Sequence, residues 1–112
     1  MDHDQTPVPE SFIALYLPRG GTRPTAARQH IAARYDLCED MAQMLTEHAR
    51  TTLFALSITE QLVLERMRQG LLAPGSVVDP AEAQWITRRL AELLQWPEPE
   101  PLRDAQPEPP AP

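Results

Sequence analysis

The sequence has no lysine, a single cysteine and few aromatic residues. All ten basic residues are arginines, and Cys38 is the one cysteine. One cysteine excludes a disulfide within the chain and a zinc site of the Cys-x-x-Cys type. Without lysine there is no P-loop, whose lysine reaches the nucleotide phosphates.

The sequence also lacks a long hydrophobic run. Its apolar stretches are a handful of residues long, far short of the roughly 20 that cross a bilayer. Met1 is followed by acidic residues, without the basic and apolar regions of a secretory signal. We therefore expect a cytoplasmic protein that does not interact with a membrane.

The body of the chain lacks an excess of positive charge. The formal net charge of −6 comes from the ends: the first ten residues carry three acids, and 97–112 carries four acids and one arginine. Between them, 11–96 holds nine acids and nine arginines. A nucleic-acid-binding domain usually has a net basic body, so a nucleic acid is a disfavoured partner.

The hydrophobic pattern predicts an all-α protein: a small helical bundle with disordered tails. We expect a flexible acidic N-terminus over 1–8, a bundle over 9–96 and a disordered tail over 97–112, which holds seven prolines in sixteen residues. The predicted helices are a short one over 10–17, with a strand as the alternative, a long one over 25–56, a third from Thr59 to Gly70 and a fourth from Asp79 to about Gln95.

The long helix has two faces. Polar residues recur at intervals of four and three on one side: Asp36, Asp40, Gln43, Glu47 and Arg50. The opposite side carries Ile31, Tyr35, Cys38, Ala42, Leu45, Ala49, Thr52 and Leu56. Such a helix is roughly 45 Å long, whereas a compact domain of this size is roughly 30 Å across. It therefore overhangs the domain, breaks at the weak helix formers Thr51 and Thr52, or is covered by a partner.

Capping residues mark the two later helices. Thr59 is a predicted N-cap, with a competing start at Ser57, and Gly70 is a predicted left-handed C-cap. Asp79, followed by a proline and by Glu82, predicts a capping box. We expect these two helices to lie end to end along the long helix, with the N-terminal helix as the fourth side of the bundle.

No catalytic residue, cofactor site or metal site is predicted. A soft-metal set of Cys38, Met41, Met44 and His48 fans around the long helix, as expected of core packing. The carboxylates Asp36, Glu39, Asp40 and Glu47 lie mostly on its polar face, where solvent keeps them ionised.

Six residues are candidates for contact with a partner: Arg34, Tyr35, Trp85, Arg88, Arg89 and Trp96. Arg34 points into the apolar stripe, which favours an ion pair with a neighbouring helix and leaves partner contact as the alternative. The two tryptophans lie off the main stripe of the fourth helix. They either pack beneath Phe12 and Tyr16 or form an exposed aromatic patch.

Four segments resemble a family of short, functionally uncharacterised bacterial helical proteins: SFIALY (11–16), IAARY (31–35), CEDMA (38–42) and AQWITRRLAELL (83–94). The resemblance spans roughly 8–97 and implies a compact helical fold, without transferring any functional residue. Some members carry the description "ATPase with chaperone activity". The absence of a P-loop lysine does not support ATP hydrolysis in this chain.

The leading functional hypothesis is a non-enzymatic protein–protein interaction module, an adaptor or regulator that binds another protein or a second copy. Two alternatives remain open. One is a DNA-associated regulator that uses Arg88 and Arg89. The other is a small ligand-binding or enzymatic bundle, which predicts a cavity lined by Arg34, Tyr35 and His48.

Overall fold

A computed structural model describes residues 7–99, and this part of the chain is an all-α bundle. Its elements are α1 (Glu10–Ile13), a 3-10 turn (Ala14–Tyr16), α2 (Arg28–Leu56), α3 (Glu60–Leu71) and α4 (Pro80–Leu94). No β-strand occurs within residues 7–99, so the predicted helical fold is confirmed. The outer parts of the predicted tails, 1–6 and 100–112, lie outside the described residues.

The long helix α2 is continuous. It contains 29 residues and passes through Thr51 and Thr52 without a break. It begins at Arg28, three residues later than the predicted start, and ends where Ser57 takes a left-handed backbone conformation with φ 51°. The Ser57 N–H then bonds the carbonyl of Leu53 at 3.0 Å, which satisfies one of the free carbonyls at the helix end.

Side-chain caps start α3 and α4 as the sequence predicts. The Thr59 hydroxyl accepts a hydrogen bond from the Leu62 N–H at 3.1 Å. At α4, Asp79 accepts from the Glu82 N–H at 2.8 Å, and the Glu82 carboxylate accepts from the Asp79 N–H at 3.0 Å. This reciprocal pair is the predicted capping box, and Pro80 occupies the first helical position.

The prediction that α3 ends at Gly70 is wrong. Gly70 is helical, and α3 continues to Leu71, whose side chain is buried in the core. Burying a leucine is more favourable than ending the helix one residue earlier. The left-handed glycine lies further along, in the loop to α4, where Gly75 has φ 86°.

The prediction that α3 and α4 lie end to end is also wrong. Arg34 and Glu39 of α2 pair in the same chain order with Glu82 and Arg89 of α4, so α2 and α4 run parallel. The short connection over 57–59 sends α3 back in the opposite direction. The apolar stripes of α3 and α4 then face each other, which an end-to-end arrangement would not allow.

The core consists of two adjoining clusters. The first core cluster comprises Phe12, Ile31, Cys38, Ala42, Leu71, Val78, Ala83, Trp85 and Ile86. The second core cluster comprises Ala49, Val63, Leu64, Met67, Leu90, Ala91 and Leu94. Leu45 packs against both clusters and joins them. The short α1 contributes Phe12 to the first cluster, so it closes the end of the bundle near the start of α2.

We predict that Asp79→Ala destabilises the protein by about 1 kcal/mol, because the first turn of α4 loses its side-chain acceptor. Asp79→Asn keeps an acceptor oxygen and is expected to lose much less. Urea unfolding followed by far-ultraviolet circular dichroism measures both variants. Equal losses for Ala and Asn would show that the cap hydrogen bond does not stabilise α4.

Candidate functional site

The strongest polar contact in the bundle joins Arg34 on α2 to Glu82 on α4. Arg34 Nε donates to Glu82 Oε2 at 2.8 Å, and Nη2 donates to Oε1 at 2.6 Å. The same Nη2 donates to the Val77 carbonyl at 2.8 Å, and the Tyr16 hydroxyl donates to Glu82 Oε2 at 3.4 Å. One carboxylate therefore ties α2, α4 and the 3-10 turn together, and Arg34 links the loop before α4 to them.

The position of Glu82 explains its burial. It lies four residues before the fully buried Ile86, so it shares the inward side of α4, and it is only 2% exposed. Burial alone raises the pKa of this carboxyl, but hydrogen bonds from Arg34 and the Asp79 N–H outweigh burial and lower its pKa. The pair is thus charged at neutral pH. The structure shows the expected ion pair of Arg34 and supplies its partner, which sequence reasoning missed.

A second ion pair connects the same two helices further along. Arg89 Nε donates to Glu39 Oε1 at 2.8 Å, and its Nη2 donates to Oε2 at 3.0 Å. Arg89 also bonds Glu92 on its own helix at 2.9 Å. The hydrogen bonds from Arg89 lower the pKa of Glu39 against the effect of burial. Arg89 and Glu39 therefore form an ion pair between α4 and α2, although the sequence predicted that Glu39 is solvated.

The aromatic candidates Tyr35 and Trp85 pack with Phe12. The centroid of the Phe12 ring lies 5.1 Å from the Trp85 ring centroid and 5.6 Å from the Tyr35 ring centroid. Both pairs have edge-to-face geometry. Trp85 is 8% exposed, and its indole N–H donates to the Ser11 hydroxyl at 2.9 Å. Its predicted packing beneath Phe12 is confirmed, so Trp85 holds α1 against the bundle.

Trp96 lies elsewhere. It is half-buried against the second core cluster, so its predicted place beneath Phe12 and Tyr16 is wrong. After the left-handed Gln95, the chain turns back so that Glu98 pairs with Arg88 at 2.9 Å. Pro99 is buried as well. The first residues of the predicted disordered tail are therefore packed, a feature that their Pro/Glu composition does not indicate.

An open groove of about 220 Å³ runs between α1 and α4. Its lining is Ser11, Leu15, Ala81, Gln84, Trp85, Arg88, Arg89 and Glu92. Three of the six candidate residues, Trp85, Arg88 and Arg89, therefore line this groove. The two arginines there already pair with carboxylates of the chain, and the indole N–H of Trp85 is bonded, so the groove presents few unused polar groups.

The cavity expected for a ligand-binding bundle does not form around its three predicted residues. Arg34 and His48 lie fourteen positions apart on a continuous helix, or about 21 Å. His48 is exposed, whereas Tyr35 packs among the aromatic rings of the core. These side chains therefore cannot line one site.

The cysteine and its neighbours on α2 point in different directions. Cys38 is fully buried, and burial raises the pKa of its thiol to about 12, so it is protonated at neutral pH. Met44 is 71% exposed, and His48 is also exposed. Among the described residues, no three or more His, Cys, Asp or Glu side chains are grouped to hold a metal ion.

Large apolar side chains remain on the surface near the connection between α2 and α3. Phe54 is 87% exposed and Leu62 is 52% exposed, and Leu56 also faces solvent. None of the three was a predicted site residue. The sequence could have indicated that Phe54 is exposed. It follows Glu47 and Arg50 at the same spacing of three and four that defines the polar face of α2.

We predict that Arg34→Met costs roughly 2–3 kcal/mol of stability, because it leaves the charge of Glu82 buried without a partner. Adding Glu82→Gln removes that charge and keeps an acceptor for the Asp79 N–H. The double variant is therefore expected to recover at least half of the loss in urea unfolding at pH 7. If the double variant is no more stable than Arg34→Met, the loss of stability comes from packing and not from the unpaired charge of Glu82.

The same variant predicts a pH dependence. The lowered pKa of Glu82 means that its stabilising effect is present above the ordinary carboxyl value of 4.5 and is lost as the pH falls through the folded value. In Arg34→Met, burial raises the pKa of Glu82, so protonation stabilises that variant. The difference in unfolding free energy between the two proteins should begin to shrink above pH 4.5, where Glu82 of the variant takes up its proton, and should shrink further below 4.5 as the pH falls through the lowered pKa of Glu82 in the unsubstituted protein. An unchanged difference would contradict the assignment.

Within residues 7–99, no helix is long and apolar enough to cross a membrane. Comparison of the chain with protein-family models, with curated proteins and with solved structures gives no match.

Proposed function

We propose that this chain is a non-enzymatic protein-interaction module, an adaptor or regulator. In this proposal, the C-terminal end of α2 binds an apolar surface of a partner protein. The observation that carries the proposal is Phe54, which is 87% exposed in the last turn of α2. Aromatic side chains of this kind often dominate the energetics of protein interfaces.

The position of Phe54 keeps it away from the core that residues 7–99 form. It continues the polar face of α2, opposite the side that carries the buried Ala42 and Ala49. Covering a phenylalanine is worth about 1.5–3 kcal/mol. A partner that packs against the last turn of α2 would gain this free energy.

The use of the charged residues supports an interaction role over a catalytic one. Arg34 and Glu82 hold α2 to α4, and Arg89 and Glu39 repeat that contact. The Cys38 thiol is buried and protonated. The two ion pairs and the buried thiol are therefore part of the fold, whereas Phe54 and Leu62 are large apolar side chains that face solvent.

We also propose a cytoplasmic location and membership of the family that the sequence resembles. A cytoplasmic location is consistent with a buried free thiol, which suits a reducing compartment. Membership of the family of short bacterial helical proteins rests on the segments that resemble it. DNA binding through Arg88 and Arg89 stays a prediction that no contact favours, because both side chains pair with carboxylates.

A photoreactive phenylalanine analogue at position 54 tests the proposal in cells that make the full chain. The matched control carries the same analogue in place of Glu47, which lies seven residues earlier on the same face of α2 and is also exposed. We expect a discrete adduct from position 54 and little from position 47. The mass of the adduct distinguishes a different protein from a second copy. Equal adducts at both positions, or none at either, would contradict the proposal.

A further inference from the structure

The positive charge of the bundle is concentrated in one part of the chain. Residues 11–35 contain four arginines and no acidic residue, whereas 36–96 contain nine acids and five arginines. The neutral total charge of the body is therefore distributed unevenly along the chain.

The fold places three of these arginines on the loop before α2 and on its first turn. The Thr25 N–H bonds the Tyr16 carbonyl at 2.7 Å, which closes the loop that carries Arg19 and Arg23. That loop leads directly into the first turn of α2, where Arg28 lies. The Tyr16 ring also lies 5.9 Å from the ring of His30, which holds the loop against the helix. We call the surface formed by Arg19, Arg23 and Arg28 the basic end.

The arginines of the basic end are available for binding. Arg34 is engaged with Glu82 and is excluded from the set. The other three are exposed and form no ion pair with a residue of the described range 7–99. The first turn of α2 contains no acid, and Ala27 provides no side-chain cap. The positive end of the helix dipole therefore adds to the field of the arginines.

The extent of the basic end favours a short anionic ligand over a long one. Asp36, Asp40 and Glu47 follow along the polar face of α2. Duplex DNA carries one charge per roughly 1.7 Å of its axis, so a duplex laid along α2 would meet these carboxylates. A few carboxylates fit within the basic end, and guanidinium groups pair with them in bidentate geometry.

We propose that the basic end binds a short acidic peptide segment of another protein. This surface is separate from Phe54, so the proposal goes beyond the apolar contact proposed above and does not depend on it. The interaction is electrostatic and exposed to solvent, so it is expected to weaken strongly as salt is added.

A fluorescein-labelled hexaglutamate peptide is the probe, titrated with the full chain at about 50 mM salt and followed by fluorescence anisotropy. Arg19→Gln/Arg23→Gln is expected to weaken binding by roughly tenfold. The matched control is Arg50→Gln/Arg66→Gln, which removes the same charge from two exposed arginines outside the basic end. The control is expected to change the affinity less than twofold.

Three results would overturn the proposal. They are no binding of the peptide at low salt, equal weakening by the two double variants, and tighter binding of a short DNA duplex than of the peptide under the same conditions. Circular dichroism of each variant confirms that it is folded. A failure of crosslinking at position 54 bears only on the apolar contact, so the two proposals can fail separately.

Discussion

A carboxylate buried between two helices must be paired, and that constraint at Glu82 organises much of this bundle. Its charge is tolerated because Arg34 and the Asp79 N–H donate to it. Because both donors bind the same carboxylate, the first turn of α4 and the axial position of α4 relative to α2 are fixed together. Arg34 extends the constraint to the preceding loop through the Val77 carbonyl. Mispairing the helices by one turn would leave the carboxylate without its arginine.

The register set at Glu82 explains why the C-terminal end of α2 extends beyond α4. From Glu82, α4 runs only twelve more residues to Leu94, whereas α2 runs twenty-two residues from Arg34 to Leu56. Because the two helices are parallel, α4 ends well before α2 does. The remaining turns of α2 are covered by the start of α3 and by Ile58, which packs against the second core cluster. This cover reaches Leu53, whereas Phe54 stays in solvent because it lies on the opposite, polar face of α2.

Local signals predicted the helices, whereas contacts between helices were harder to predict. The spacing of polar and apolar residues identified α2, and Thr59 and Asp79 identified the starts of α3 and α4. The prediction at Gly70 failed because the preference of glycine for a C-cap position is a local effect, and the burial of Leu71 outweighs it. Glu82 was predicted only as a capping residue, although its place four residues before Ile86 was a signal for burial that the prediction did not use. Nothing in the sequence indicated that Trp96 covers the second core cluster or that Pro99 is buried.

The two proposed surfaces lie at opposite ends of one rigid element. The 29 residues of α2 span about 43 Å, and two ion pairs hold its first half to α4. The distance between the basic end and Phe54 is therefore fixed by covalent geometry and helix packing. A single partner must carry an acidic segment and an apolar surface at this separation to use both, and would then gain from avidity. Two smaller partners would instead be held apart at that distance, which is the geometry of an adaptor.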